Sequence, residues 1–237
     1  MIDTHSHILF GIDDGSRTIE ESINILKKAY NNGIKDIILT PHYVPNSKYN
    51  CNNQDKHKLL NILKEELKKN NIDINLYLGN EVYLDLEISN LLENDIYTIN
   101  GSKYMLIELP MNRKPDILDD VLYDLSELDI IPVIAHPERY TAYYKDYDFF
   151  QDLIDKGCLL QGNIGSLYNN YGIKAKRMLK GLLKKRMISI LGSDIHHDSS
   201  DIYEKNISKD LLKLLKDKSY VEDILTNNAR NIISSKE

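Results

Sequence analysis

The sequence predicts an α/β fold, a distorted (β/α)7 barrel of the TIM-like kind, and three observations support this prediction. Short apolar runs alternate with amphipathic helical stretches seven times along 237 residues, and no linker-like segment separates them. Such alternation is typical of a parallel sheet. Histidines and carboxylates stand at or just past the ends of the apolar runs, and in a closed barrel those ends meet on one face. An open doubly wound sheet would satisfy the alternation alone, so the polar residues favour the barrel. We expect one domain, residues 1–237.

The first fifteen residues organise the rest of the chain. His5 and His7 stand two apart at the end of a short apolar run. On a strand, residues i and i+2 point to the same side, so the two imidazoles could grip one divalent ion. Thr18 and Glu21 then form a capping-box pattern, and a helix is predicted from there to Gly33.

Six further strands are predicted, and each leads to a polar residue. They cover residues 36–40, 74–78, 104–107, 131–135, 158–161 and 188–191, and they lead to His42, Glu81, Glu108, His136, Asn163 and Asp194. Helices are predicted over residues 56–69, 84–92 and 173–186, from Pro115 at a first helical position, before Gly157, and from about residue 205 onward. His196 follows Asp194 with the same spacing of two.

Composition limits the classes of function. The net charge of −6 argues against a surface that neutralises nucleic-acid phosphates, so no nucleic-acid partner is expected. Two cysteines, Cys51 and Cys158, support neither a disulfide framework nor a thiolate cluster, and we expect a cytoplasmic protein. No apolar run approaches 18 residues and the N-terminus lacks the pattern of a signal peptide, so membrane insertion is not expected.

The polar residues at the strand ends predict a metal site with nitrogen and oxygen ligands. The candidate ligands are His5, His7, Asp14, His42, Glu81, Glu108, His136, Asp194 and His196. Asp14 is either a ligand or a turn former. This donor set suits Mn²⁺, Fe, Zn or Co, and it exceeds the needs of one ion, so two or three ions are implied, with Glu81 as the candidate bridge. Such a cluster turns a shared water into hydroxide and serves phosphoester hydrolysis.

Arg139 is the candidate phosphate-binding residue, because its planar guanidinium can bind two phosphate oxygens at once. The alternative is a surface ion pair of Arg139 with Glu138 or Asp146. Two other features also remain open. The helix over residues 173–186 carries Arg177, Lys180 and Lys184 on one face, either for a phosphorylated or membrane-proximal partner or as a solvated outer face. Four tyrosines are candidates for the wall of a phenol-binding cleft: Tyr43, Tyr83, Tyr140 and Tyr168.

The order of these motifs resembles that of a known family. The motifs are His5-Ser-His7, Asp13-Asp14-Gly15, Thr40-Pro-His42, Gly79-Asn-Glu81, Glu108, Ala135-His-Pro-Glu-Arg-Tyr140 and Ser193-Asp-Ile-His196. Together they resemble the polymerase and histidinol phosphatase (PHP) superfamily, and within it the CpsB/YwqE-type bacterial protein-tyrosine phosphatases. The resemblance extends from Met1 to about Arg230.

The resemblance implies a PHP fold with three metals, commonly Mn²⁺. By motif, the three ligand sets would be His5, His7, Glu81 and Asp194; Glu81, Glu108 and His136; and Asp14, His42 and His196. Arg139, His42 and Asp14 would take part in catalysis. The implied partner is the phosphotyrosine tail of a bacterial tyrosine kinase that regulates capsule or exopolysaccharide synthesis, and the implied state is a homo-oligomer joined through residues 17–30.

One departure and three alternatives accompany the resemblance. Some relatives carry a second arginine after the final Asp-x-His, where this chain has only Lys205, a cation without a bidentate fork. A small-molecule phosphatase, for example on histidinol phosphate, would use the same metals. A non-catalytic, kinase-binding metal barrel would have saturated coordination. A cysteine-dependent phosphatase is excluded, because neither Cys51 nor Cys158 is followed six positions later by arginine.

Overall fold

The computed structural model describes residues 1–92 and 94–235, and its parallel strands curve around a common axis. The strand segments are β1 (Ile2–Asp3), β2 (Asp36–Leu39), β3 (His42–Tyr43), β4 (Asn75–Leu78), β5 (Glu81–Tyr83), β6 (Tyr104–Glu108), β7 (Ile131–Ala135), β8 (Leu159–Asn163) and β9 (Ile190–Gly192). They form one sheet of order β1-β2-β4 and one of order β3-β5-β6-β7-β8-β9. Only two residues separate β2 from β3 and β4 from β5, so these nine segments make up seven strands.

The last strand lies beside the first. The Asp194 amide donates to the His5 carbonyl at 2.8 Å, and the His7 amide donates to the Ile195 carbonyl at 2.9 Å. On the other side of the first strand, the Thr40 amide donates to the Ser6 carbonyl at 2.8 Å. The predicted distorted seven-stranded barrel is therefore confirmed.

Helices cover the outside of the strands. They are α1 (Ile19–Asn31), α2 (Asn53–Lys69), α3 (Leu118–Glu127), α4 (Tyr147–Asp155), α5 (Ile164–Leu167), α6 (Gly172–Lys184), α7 (Ile207–Leu215), α8 (Lys218–Glu222) and α9 (Asn228–Ser234). Thr18 caps α1 as predicted, accepting from the Glu21 amide. Among the described residues, no helix combines the length and the apolar composition needed to cross a membrane.

Two predicted helices were wrong in detail. The stretch predicted as helical over residues 84–92 contains only the 3-10 turn Ile88–Leu91, because tertiary packing overrides the local apolar pattern. Pro115 does not open a helix at its first position. It precedes a turn, and α3 begins at Leu118.

The barrel interior explains where the polar residues lie. Its apolar cluster contains Ile2, Ile38, Leu106, Val133, Ala135 and Ile190 from the strands, Ile99 from the 3-10 turn before β6, and Ala229, Ile232 and Ile233 from α9. Helix α9 therefore closes the N-terminal mouth of the barrel. Because side chains alternate along a strand, the next inward positions after Leu106 and Ile190 are Glu108, then Gly192 and Asp194. The apolar interior thus gives way to acids at the opposite mouth.

We expect Ile232→Ala to lower the free energy of unfolding by roughly 2–5 kcal/mol, because it leaves a cavity in the apolar cluster. Ile232 is 2% exposed. Urea unfolding of the metal-free protein measures the change. Leu212→Ala is the control, because Leu212 is 42% exposed and its loss should cost only about 0.5 kcal/mol. Equal losses in the two variants would contradict the closing role of α9.

Candidate metal centre

The structure brings all nine predicted ligand residues to the C-terminal mouth of the barrel. Three overlapping groups have donor atoms within 4.8 Å of one another: His5, His7, Glu81 and Asp194; His7, Asp14, His42 and His196; and His42, Glu81 and Glu108. His136 adjoins the last group, with its Nε2 atom 2.8 Å from Glu81 Oε1 and 3.8 Å from Glu108 Oε1. Residues that lie far apart in the sequence thus share one cavity.

The first group has the dimensions of a tetrahedral ion site. His5 Nε2 and His7 Nε2 lie 3.1 Å apart. Glu81 Oε2 lies 3.2 and 3.3 Å from these nitrogens, and Asp194 Oδ1 lies 3.4 and 3.3 Å from them. A regular tetrahedron with vertices about 2.0 Å from its centre, the usual metal–nitrogen distance, has edges of about 3.3 Å. Five of the six distances between the four donor atoms therefore match those around one tetrahedral ion.

Hydrogen bonds fix both histidines in the form that a metal requires. His5 Nδ1 donates to Gln161 Oε1 at 2.8 Å, and His7 Nδ1 donates to Asp13 Oδ2 at 2.8 Å. With the hydrogen on Nδ1, a neutral imidazole has its lone pair on Nε2, and these two Nε2 atoms lie 3.1 Å apart. A second-shell acceptor on the other ring nitrogen is the usual arrangement for metal-binding histidine. A cation between the two nitrogens satisfies both lone pairs.

Glu81 lies at the centre of the cluster. Its Oε1 atom accepts from His136 Nε2, while its Oε2 atom lies 3.1 Å from His42 Nδ1 as well as close to His5 and His7. Within the described residues, Glu81 Oε2 and His42 Nδ1 are buried and make no hydrogen bond. Buried polar atoms without partners are costly, and a cation shared by several donors removes that cost.

The second group lies at the outer edge of the mouth. Asp14 Oδ1 is 3.5 Å from His42 Nε2 and 3.7 Å from His196 Nε2. The Asp14 side chain is 50% exposed, in contrast to the fully buried first group. His196 Nδ1 donates to the Asp194 carbonyl at 2.9 Å, which leaves its Nε2 atom free to face Asp14. This part of the cluster is the one that solvent reaches.

The electrostatics of the cluster favour a bound cation. Burial and the neighbouring Glu81 carboxylate raise the pKa of Glu108 to about 8. Burial opposes protonation of His7, but Asp13, Asp194 and Glu81 outweigh it and raise the pKa of His7 well above its ordinary value. The shift of His7 reflects the negative charge of the carboxylates around it, which either protons or a divalent ion can neutralise. Burial lowers the pKa of His196 to about 4, so that imidazole is neutral near pH 7.

Arg139 lies at the edge of the cluster and not in the surface ion pairs considered above. Its Nη1 atom donates to Asp194 Oδ2 at 2.7 Å, and its guanidinium lies 4.3 Å from the centre of the Tyr171 ring. Glu138 is instead buried against Asn163 and Ser166, and Asp146 pairs with Lys114. The Arg139 side chain is 25% exposed, so part of the fork faces solvent beside the cluster.

Four residues that support the candidate ligands were not assigned a role from the sequence. Asp13 accepts from His7 and from the His42 amide, and Gln161 accepts from His5. Asn163 donates to Asp194 Oδ2 at 2.7 Å, and the Tyr171 hydroxyl donates to the same oxygen at 3.2 Å. Asp13 belongs to the Asp13-Asp14-Gly15 motif, and Gln161 and Asn163 at a strand end have the same spacing of two as His5 and His7.

The four tyrosine candidates differ in their positions. Tyr140 is buried, yet it lines a cleft beside Arg139, and its ring centre lies 5.7 Å from that of His136. Tyr43 is buried in the outer core, Tyr83 is the last residue of β5, and Tyr168 donates to Asp210. Lys205 pairs with Asp201. His197 lies 3.0 Å from Glu21.

The profile of the family described as "Capsular polysaccharide synthesis, CpsB/CapC" matches residues 1–234. The chain belongs to the CpsB/CapC family. Its sequence is 33% identical to CapC of Staphylococcus aureus over 226 residues, which are 94% of this chain and 87% of CapC. It is 31% identical to the tyrosine-protein phosphatase CpsB of Streptococcus pneumoniae over 240 residues, 98% of each chain. The resemblance predicted from the motifs is thus confirmed.

Solved structures agree with this membership of the CpsB/CapC family. The chain superposes with a TM-score of 0.89 at 30% identity on a structure from work on YwqE of Bacillus subtilis and CpsB of Streptococcus pneumoniae, described as unique metal-dependent tyrosine phosphatases. The match covers 100% of this chain and 96% of the other. A histidinol phosphate phosphatase from Lactococcus lactis matches with a TM-score of 0.56 at 16% identity, over 90% of this chain and 92% of the other, which shows a shared fold alone.

A buried lysine anchors the segment that carries Glu81. The Lys56 side chain on α2 is fully buried, and its Nζ atom donates to Asn80 Oδ1 at 2.8 Å and to the Asp95 carbonyl at 2.5 Å. Asn80 Oδ1 also accepts from the Tyr97 amide, and its Nδ2 atom donates to the Pro41 carbonyl. Lys56 and Asn80 therefore join the ends of two strands just before His42 and Glu81.

Burial lowers the pKa of Lys56 from 10.5 to about 7. Between these values the unfolded chain binds more protons than the folded one, so this residue makes the free energy of unfolding rise with pH. We expect the stability of the wild type relative to Lys56→Met to increase from about pH 7.5 to about pH 9.5. Urea unfolding of the metal-free proteins measures this difference. A difference that stays constant over that range would contradict the assignment.

Proposed function

We propose that the chain is a metal-dependent phosphatase that hydrolyses phosphotyrosine in proteins. The observation that carries the proposal is the tetrahedral set of donor atoms from His5, His7, Glu81 and Asp194, with a partly exposed guanidinium from Arg139 bonded to one of them. Cations that activate water beside an arginine that binds phosphate are the parts that phosphoester hydrolysis requires. The names of the relatives support tyrosine as the side chain that carries the phosphate.

We propose two or three ions at the overlapping groups. His5, His7, Glu81 and Asp194 would hold one ion, His42 or His136 with Glu81 and Glu108 a second, and Asp14, His42 and His196 a third. Mn²⁺ is our first candidate, because hard carboxylates and imidazoles without thiolates suit it, and Fe, Zn or Co would also fit this donor set. When bound, the ions would lower the pKa of a water and offset the charge of the phosphate.

Residues of the chain itself would bind and orient the phosphate. Arg139 would donate its remaining N–H groups to the non-bridging oxygens, while Asp194 and the Tyr171 ring hold the guanidinium in place. His42 and Asp14 lie at the solvent-facing edge of the cluster, with side chains 14% and 50% exposed, so an entering phosphate would meet them first. Lys205 pairs with Asp201, so we do not assign it to phosphate binding beside the guanidinium of Arg139.

The proposed substrate is the phosphorylated tyrosine tail of a bacterial tyrosine kinase that regulates capsule or exopolysaccharide synthesis, in the cytoplasm. Membership of a family described by capsular polysaccharide synthesis supports this context. Assembly of copies through residues 17–30, the region of α1, is part of the same proposal.

We expect Asp194→Asn to reduce hydrolysis of p-nitrophenyl phosphate by at least about 100-fold, because it removes one negative ligand and the partner of Arg139. Chelation of the wild type should abolish activity, and added Mn²⁺ should restore it. Asp201→Asn is the matched control, because Asp201 lies in the following loop and contacts only Lys205 among the ion pairs of the described chain. Full activity in Asp194→Asn with normal metal content would overturn the site.

The second experiment compares kcat/KM on a phosphotyrosine peptide, the matching phosphoserine peptide and histidinol phosphate. We expect the phosphotyrosine peptide to be preferred by at least about 10-fold. A higher value for histidinol phosphate would favour a small-molecule phosphatase. Metal content without hydrolysis of any of the three would favour a non-catalytic metal barrel that binds a kinase.

A further inference from the structure

A cleft of about 370 Å³ opens beside the metal cluster on the side of Arg139. Its walls include Arg139, Met111, Tyr144, Tyr171 and Lys174. The cleft joins the cluster directly, because Arg139 and Tyr171 both bond to Asp194. A volume of this size lies within the range of small-ligand sites, and the mixture of aromatic rings with cations suits a ligand that is both aromatic and anionic.

Helix α6 extends this cleft along the surface with positive charge. Its residues Gly172–Lys184 include five cations and no acid: Lys174, Lys176, Arg177, Lys180 and Lys184. Lys174 lines the cleft and lies 5.8 Å from the centre of the Tyr144 ring. Throughout residues 1–92 and 94–235, none of the lysine or arginine ion pairs involves any of these five side chains.

These cations stand out because the protein as a whole is acidic. The net charge is −6, whereas this one helix carries five cations and no acid. A group of cations that form no ion pairs attracts an anionic partner to that part of the surface. Because Lys174 lines the cleft, a ligand that occupies both the cleft and this face of α6 would contact the largest number of these cations.

We propose that the cleft and the adjoining face of α6 bind the peptide on one side of the phosphotyrosine, and that Lys174 and Arg177 select peptides with acidic side chains there. This inference rests on the proposed function, because it assumes that a phosphotyrosine enters the cluster. Lys174 and Arg177 are three positions apart and both exposed, so they lie on the same part of the helix surface. A peptide running from Arg139 past Tyr144 would meet Lys174 first and Arg177 next.

The test uses two matched pairs of phosphotyrosine peptides of equal length. In one pair three glutamates or three glutamines precede the phosphotyrosine, and in the other pair they follow it. For the better of the two glutamate peptides, the kcat/KM of the wild type should be about 5-fold above that for the matched glutamine peptide. The difference should come from a lower KM and not from a higher kcat. High salt should remove most of this difference, because exposed charges are screened.

Lys174→Gln/Arg177→Gln should bring the glutamate-to-glutamine ratio close to one while leaving hydrolysis of p-nitrophenyl phosphate unchanged. Lys64→Gln/Lys68→Gln is the control with the same change of charge, on helix α2, which contacts α1 and β4. It should keep the ratio of the wild type. A loss in both double variants would overturn the proposal, because net charge alone would then explain it.

Two further outcomes separate this inference from the proposed function. If wild type hydrolyses p-nitrophenyl phosphate and both peptides of each pair with equal kcat/KM, the peptide surface is refuted and the phosphatase stands. If wild type with its metal hydrolyses none of them, the proposed function itself fails. Binding to phosphatidylglycerol vesicles that requires Lys174 and Arg177, together with equal peptide rates, would overturn the inference in favour of a membrane surface.

Discussion

The contact between the first and the last strand is the constraint on which the rest of the structure depends. Asp3 is fully buried and accepts from the Ser193 amide at 2.7 Å, from the Ser193 hydroxyl at 2.6 Å and from the Tyr203 hydroxyl at 2.5 Å. Gly192 makes this contact close, because a Cβ atom there would lie 2.4 Å from the Cβ atom of His5. The same contact places Asp194 beside His5 and His7. The donor atoms therefore come together only when the first and last strands pair.

The candidate site is costly for the isolated chain. Buried carboxylates and imidazoles crowd one cavity, and His136 and Asp194 have positive φ angles of 32° and 55°. Left-handed conformations of non-glycine residues cost about 1–3 kcal/mol each, and they recur at functional sites. The apolar cluster behind the site, closed by α9, and the fixed contacts of Asp13 and Gln161 hold this arrangement in place. A divalent ion would relieve the remaining charge repulsion, so ion binding and folding should be coupled.

The sequence revealed most of the fold and the candidate ligands because both follow from simple periodicities. Strand ends are marked by apolar runs, and inward positions there are marked by His, Glu or Asp. Supporting residues such as Gln161 and Tyr171 gave little signal, because amides and phenols are common on any surface and their roles depend on neighbours far away in sequence. The pairing of Arg139 with Asp194 was missed for the same reason. The helix expected over residues 84–92 was wrong because tertiary packing overrode a local apolar pattern, leaving the 3-10 turn Ile88–Leu91.

The seam between β1 and β9 also has a consequence during protein synthesis. His5 and His7 are synthesised long before Gly192, Asp194 and the Tyr203 hydroxyl that complete their surroundings. Asp13 and Glu81 follow the two imidazoles early in synthesis, but the fourth donor residue of the group, Asp194, is added much later. A polypeptide that stops before Asp194 would lack the complete set of donor atoms around His5 and His7.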